Sequence, residues 1–572
     1  MDRSFFEAPV AVPKLSGFDK SFMNIFTAPV GTLVPMLCDE IVAGSNINLS
    51  LALSASLPPL ASDCFLRASY KVEAFFVPLR LCFGGFQHFF VGDEFDVVSN
   101  SGTGISTAQV KRLPRFYFKT ETGLTAADGV LYDNVFGAGT LSDYLGMKTK
   151  FSDFVVNFSF DQSQYLNILP YVAYHKCWSD WYRSTLLQRD CFAPLAANIS
   201  SSYRPGASLP YVTFVDSTFS GMVDKNFVDP SAATYYQNTL GNTGAWSLLA
   251  DAVSLFDLRQ RNFGFDYFTC AMPSAQTGSP SYVSPDPNFS NGFTISQLRS
   301  INSLQQWKER NMLGGDRYVD RLYSQYGCRP SDGIAQRVLC IGSAEFEVYN
   351  KGIYENSNGT TSNNNPFAGQ VGAKYGSASA HSPGAVQLCH GFRAAEPGYL
   401  LVIGSLVPRV TYSMGLDPKF NRYVVDDSIV EMANPILQAV GPEPIYRREL
   451  TQNMFDTAIF GYTDRYGSFK NKFDELHGLL REGESLASFA SQRYIDATAL
   501  PQISDEFLQI PTDYLDNVTA VSGALSQYGV WVDSFFDYKV SMPLSKYALP
   551  TLQDPAYEHG KTITVRRGGF RF

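Results

Sequence analysis

The strictest constraint on this chain is a two-residue repeat in its apolar pattern. In INLSLAL (47 to 53), Ile47, Leu49, Leu51 and Leu53 fall on one side, with Asn48 and Ser50 on the other. A helix would scatter that pattern around its axis, whereas an extended strand gathers it onto one face. YKVEAFFV (70 to 77) repeats it with Val72, Ala74 and Phe76 against Lys71 and Glu73, and VVNFSF (155 to 160) with Val156, Phe158 and Phe160. Half-buried strands of this kind belong to antiparallel sheets. Further strand candidates lie at 399 to 407, 530 to 540 and 562 to 565. Strands at both ends and few between predict one mainly β domain over 1 to 572, a β-sandwich with long loop and helical insertions.

Charge is scarce for such a chain. Its 572 residues are 45% apolar but only 17% charged, against the roughly 25% usual for soluble domains. A monomer of this size exposes on the order of 20,000 Å², yet few Lys and Glu cover it, while Phe (44) and Tyr (32) abound. That composition is the signature of protein interfaces and predicts extensive burial against copies of the same chain. An aromatic-rich β core is the plainer explanation, and the two are compatible. The net charge of −9 argues against a surface that coats nucleic acid throughout, so any such contact is local.

No basic segment followed by an apolar run opens the chain, and GYLLVIGSLV (398 to 407) is about half the ~20 residues of a membrane span. The expectation is a soluble, unexported chain without membrane insertion. Nine cysteines without a CxxC pair suggest buried thiols in a reducing compartment.

Two helices are expected in the insertions. PYVAYHKCWSDWYRSTLLQ (170 to 188) places Tyr171, Tyr174, Trp178 and Trp181 at helical spacing, and 293 to 318 opens on Thr294 and Gln297 in capping-box spacing and stops at Gly314 and Gly315. Aromatic stripes of this sort ordinarily dock a helix onto a core rather than hold a cofactor. Residues 196 to 250 and the Gly/Ser/Asn-rich stretch 355 to 385 are long, polar and nearly uncharged, as functional loops are.

Chemistry is sparse. The six histidines, at 88, 175, 381, 390, 477 and 559, form no metal-ligand spacing, and no GxSxG elbow is present. No cofactor and no catalytic residue is expected; divalent cations are left open. Gly560-Lys561-Thr562 lacks the earlier glycine of a phosphate loop and reads as the start of the last strand. The tail KTITVRRGGFRF carries Lys561, Arg566, Arg567 and Arg571 without an acid, with Phe570 among them. Cations for phosphate interleaved with a π-face for bases suit single-stranded nucleic acid. A solvated or subunit-contacting terminus is the bland alternative. The run RLPRFYFK (112 to 119) reads as a strand.

Five stretches, taken in order, carry a family resemblance: VEAFFVPLRL (72 to 81), ILPYVAYHKCWSDWYRSTLLQ (168 to 188), FDYFTCAMPSAQTG (265 to 278), FTISQLRSINSLQQWKERNMLGGDRYVDRLYSQYG (293 to 327) and FGYTDRYGSFKNKFDELHGLLR (460 to 481). With CHGFRAAEPGYLLVIGSLVPRVTYSMGL (389 to 416) they span nearly the whole chain. The chain resembles the major capsid proteins of the Microviridae, small phages with circular single-stranded DNA, and most closely their gokushovirus-like branch. After FFVP it departs from the family's usual run, reading Leu79-Arg80-Leu81-Cys82-Phe83.

The resemblance implies a viral jelly roll, a sandwich of about eight antiparallel strands. It implies self-assembly into the smallest class of icosahedral shell around the genome, with no enzymatic activity, in a virion assembled in the host bacterial cytoplasm. The implied partners are further copies of the chain, packaged single-stranded DNA, minor pilot, scaffolding and small DNA-binding phage proteins, and a host surface receptor. Residues 196 to 250 are the candidate surface protrusion near the three-fold axes, 355 to 385 the rival candidate, and 561 to 572 the candidate DNA contact. A carbohydrate-binding or carbohydrate-active β-sandwich, with the polar loops as a sugar groove, is the alternative from another class.

Overall fold

The computed structural model describes residues 7–11, 15–58, 65–83, 94–98, 105–109, 115–117, 137–147, 165–188, 257–274, 336–350, 376–379, 386–421, 442–493, 502–519, 529–544 and 562–566, with a few single residues between them. The strands of the first third are β1 (Glu7–Ala11), β2 (Ser16–Asp19), β3 (Phe22–Ala28), β4 (Val34–Ile41), β5 (Asn46–Ser56), β6 (Ala68–Pro78), β7 (Glu94–Val98), β8 (Ile105–Gln109), β9 (Arg115–Tyr117) and β10 (Tyr165–Asn167). The remainder are β11 (Leu339–Asn350), β12 (Gly376–Ser379), β13 (Val386–Arg393), β14 (Gly398–Pro408), β15 (Glu443–Tyr446), β16 (Ile459–Thr463), β17 (Val530–Met542) and β18 (Thr562–Arg566).

Ten of these strands form one folded-over sheet, and all of its pairings are antiparallel. One layer runs β4-β14-β6-β11. In the other, β5 lies beside β17; β12 and β13 share the free side of β5, while β2 and β3 share the free side of β17. Ten strands thus occupy eight lateral positions, four in each layer, which agrees with the expected sandwich of about eight. The short strand β12 joins the layers by pairing with β11 and β5. It falls inside the Gly/Ser/Asn-rich stretch read as a loop, where small residues let a strand turn the corner of the sandwich.

Register explains why the layers close on one another. Across the β5–β17 ladder, Leu53 faces Ser534, Leu51 faces Phe536, Leu49 faces Tyr538 and Ile47 faces Val540, all buried. Across β6–β14, Tyr70 faces Leu406, Ala74 faces Val402 and Phe76 faces Leu400. These side chains form a single apolar cluster, so the helix-favouring leucines of β5 are overruled by the burial that period two permits. Gly342 lies at a bulge in β11, where the β13 backbone passes so closely that an added Cβ would lie 1.6 Å from the Leu388 carbonyl oxygen.

On the outer face of the β4-β14-β6-β11 layer, β14 and the Phe75 end of β6 are covered by the chain itself. The expected aromatic helix forms at Leu169–Cys177 and continues as a π turn at Trp178–Tyr182. Phe75 meets the rings of Trp181 and Tyr182, each at 5.9 Å. Arg261 pairs with Glu73 at 2.6 Å, and the Tyr182 hydroxyl donates to the same carboxylate at 2.9 Å. The aromatic stripe therefore does pack, with Tyr171, Tyr174 and Trp178 buried. Of the second expected helix, only residues 299, 302–304 and 306 are described, and they are helical. The strand expected at 155 to 160 lies outside the described residues.

A smaller apolar cluster joins Tyr267, Phe268, Tyr412, Ile445, Phe460 and Phe507. Beside it the Glu449 carboxylate, 4% exposed, accepts from Asn421 Nδ2 at 2.7 Å and from the Tyr446 backbone N–H at 3.2 Å. Burial pushes this carboxyl up to about 8. Among the cysteines, Cys82, Cys177 and Cys389 are buried as expected, but Cys270 and Cys340 are exposed, at a turn and at the bulged start of β11; none of the six described forms a disulfide.

Two outcomes are expected from this packing. Gly342→Ala should lower unfolding stability in guanidinium by about 2 to 4 kcal/mol, because a backbone carbonyl blocks the new methyl. Glu449 has an ordinary value of 4.5, so the folded chain should lose stability as pH rises from about 4.5 to about 8, by at most about 5 kcal/mol. Glu449→Gln should flatten that part of the stability–pH curve.

Candidate assembly and nucleic-acid surfaces

The basic tail is partly described. Its start, Thr562–Arg566, is β18, which pairs antiparallel with β1 in a separate ribbon that sets Arg566 opposite Glu7 and Thr562 opposite Ala11. Lys561, Arg567, Phe570 and Arg571 lie outside the described residues, so the ladder positions only Arg566 of the five candidate DNA contacts. The strand expected at 562 to 565 therefore forms, as Thr562–Arg566, and is held by the other end of the chain. The run expected to be a strand at 112 to 119 forms β9, which pairs with β10. Residues 196 to 250 lie outside the described residues, as does most of 355 to 385.

A groove of about 680 Å³ lies at one end of β6, β11 and β14. Phe265, 94% exposed, lines it together with Arg67, Lys71, Glu345, Arg409 and Asp474. Lys71 pairs with Glu345 at 3.6 Å, and the Arg409 guanidinium is bidentate on Asp474. The cations Arg67, Lys71, Arg409 and Lys472 are balanced by Asp266, Glu345, Glu347 and Asp474 in the same lining, so the groove supplies no focused field for a polyanion. Of its carboxylates, Glu345 and Asp474 are ion-paired, and Asp266 accepts from the Tyr412 hydroxyl at 2.7 Å.

The buried polar groups stabilise the covered layer. His175 accepts from Arg259 Nε at 3.1 Å, while that guanidinium lies 4.2 Å from the Trp178 ring centre. Arg493 stacks on Phe507 and Phe263, at 3.8 and 4.5 Å from their centres, and donates to the Phe507 carbonyl. Neighbouring Cys389 and His390 sit on β13, where His390 Nδ1 lies 2.9 Å from Gln387 Nε2. Among the described residues no group of three or more His, Cys, Asp or Glu could hold a metal ion, and no helix is long and apolar enough to cross a membrane.

The two sandwich layers differ on their outer faces. On β14, Tyr399, Leu401, Ile403 and Ser405 point away from the common core and are nonetheless buried. On the opposite layer, the outward residues of β3 and β17 are open: Met23 is 63% exposed, Ile25 70%, Trp531 43% and Phe535 46%. A signal for this was present in FMNIFTA (22 to 28), which is apolar on both of its faces. Large apolar side chains exposed together in this way mark a contact surface.

A packed sandwich with an open apolar face suits a building unit. The sequence comparisons agree. Residues 9–552 match the family model of the phage capsid protein, the F protein. The capsid protein VP1 of Chlamydia phage 1 is 24% identical, covering 97% of this chain and 98% of the relative. VP1 of Bdellovibrio phage phiMH2K is also 24% identical, over 96% and 97%, and VP1 of Spiroplasma virus 4 is 22% identical, over 92% and 93%. The match runs nearly end to end, as the Microviridae resemblance requires, and gives the carbohydrate-binding alternative no support. The chain belongs to the phage F capsid protein family and is a major capsid protein, a structural component of the virion that self-assembles into the capsid.

Proposed function

We propose that this chain builds the smallest class of icosahedral shell, one copy per asymmetric unit, around a circular single-stranded DNA genome. The observation that carries the reading is the collinear match to capsid proteins over almost the entire length of both partners. The shell is assembled in the host bacterial cytoplasm with pilot, scaffolding and small DNA-binding proteins, and it performs no catalysis. Residues 196 to 250 form the protrusion near the three-fold axes that meets the host receptor. Their support is compositional: a long polar, nearly uncharged insertion suits an exposed recognition surface.

Inside the shell, Lys561, Arg566, Arg567 and Arg571 hold phosphates while Phe570 stacks on a base. An overall negative chain with a local cationic segment meets DNA where it is needed without coating itself in it. The β1–β18 ladder supports this by anchoring one end of the segment.

Replacing Arg566, Arg567 and Arg571 by Ala should lower genome content per particle and flatten the salt dependence of DNA binding by roughly two log units per log unit of salt, ~0.7 for each lost contact. Unchanged genome content and particle yield would sink the tail assignment. Replacing 196 to 250 by a short Gly/Ser linker should leave the thermal unfolding of the subunit intact and abolish adsorption to host cells; normal adsorption would remove the receptor role.

A further inference from the structure

The β3–β17 face gathers its apolar residues by register. Phe535 lies opposite Met23, Asp533 opposite Ile25 and Trp531 opposite Thr27. Odd-numbered residues of β17 point outward while Val532, Phe536 and Tyr538 enter the core. On the other flank, β5 contributes Asn48, Ser50, Ala52 and Ser54, small and uncharged, so the face stays flat. The opposite layer carries comparable side chains outward and buries them under the chain's own helix and π turn. Among the described residues, this layer leaves them open.

We infer that the outer face of β3 and β17, centred on Met23, Ile25 and Phe535, is an assembly surface occupied by a different surface of the next copy of this chain. Area supports this. With Trp531, these side chains expose on the order of 400 Å², roughly half of what one partner contributes to a standard interface and the right size for its apolar centre.

Charge decides the occupant. The same face carries Asp19, Asp533 and Asp537 against one ammonium, Lys539, which already pairs with Asp537 at 2.9 Å. Net negative charge repels a phosphate backbone, so the face does not hold packaged DNA. It also disfavours self-pairing about a two-fold axis, which would set carboxylates opposite carboxylates. A head-to-tail contact avoids that, and repeated head-to-tail contacts close into rings and shells.

The test is made on particles assembled from the full chain. Ile25→Thr with Phe535→Thr keeps residues suited to a strand and removes the apolar centre. At least a tenfold fall in particle yield is expected, from subunits that melt at the parental temperature; parental yield overturns the proposal. A second measurement does not depend on the folding of that variant. A photoreactive phenylalanine placed at position 535 should cross-link into dimers in which both peptides come from this chain and the second does not come from β3 or β17. Cross-links to DNA or to another phage protein, a β17-to-β17 product, or no product in intact particles each overturn it.

Discussion

The sandwich is closed by β17. It lies between β5 on one side and β2 and β3 on the other, so residues near position 540 hydrogen-bond to residues near positions 20 and 50. Everything between must leave and return. Loop-closure entropy grows only slowly with length, so the chain tolerates a long excursion between β6 and β11 and another between β14 and β17. The reward is collected only when the ends meet, when Val532, Phe536, Tyr538 and Val540 complete the core started by β5 and β6. Such non-local pairing makes slow folding the expectation.

The excursions give the two layers different fates. Residues 165–188 and 257–263 return onto β6 and β14, where Trp181, Tyr182 and Arg261 cover Phe75 and Glu73. There the chain covers its own apolar side chains. The β5–β17 side is left open with Met23, Ile25 and Phe535 outward, a surface that suits a subunit completed by its neighbours. The sparse charge of the chain has the same physical reading: surface destined for burial cannot carry many ions without cost.

Much of the sandwich was legible in the sequence. β5, β6, β14 and β17 follow from alternation or from a short apolar run, and the aromatic stripe at Tyr171, Tyr174 and Trp178 follows from helical spacing. β4 was not legible: Val34 and Met36 are buried, as is their neighbour Pro35, so period two is lost. β12 was hidden because GSAS has no apolar pattern at all, and its strand form depends on β5 and β11 already being there. The helix at 169–177 gives way to a π turn whose Trp181 and Tyr182 rings meet Phe75, a long-range contact that helical spacing alone does not announce. The site was less legible than the fold. A composition argument predicts burial between copies but names no face, because facing depends on where the insertions return. The anchoring of Arg566 opposite Glu7 joins the two ends of the chain, a pairing no local pattern announces. The capsid role itself came from collinear resemblance rather than from any local residue pattern.

Electron cryomicroscopy of particles assembled by the full chain tests the account most directly. It predicts closed shells in which β17 runs between β3 and β5 within each subunit, the β6–β14 layer is covered by its own helix, and density from a neighbouring copy lies over Met23, Ile25 and Phe535. A subunit in which β17 pairs elsewhere, or a shell in which that face meets only solvent, would contradict it.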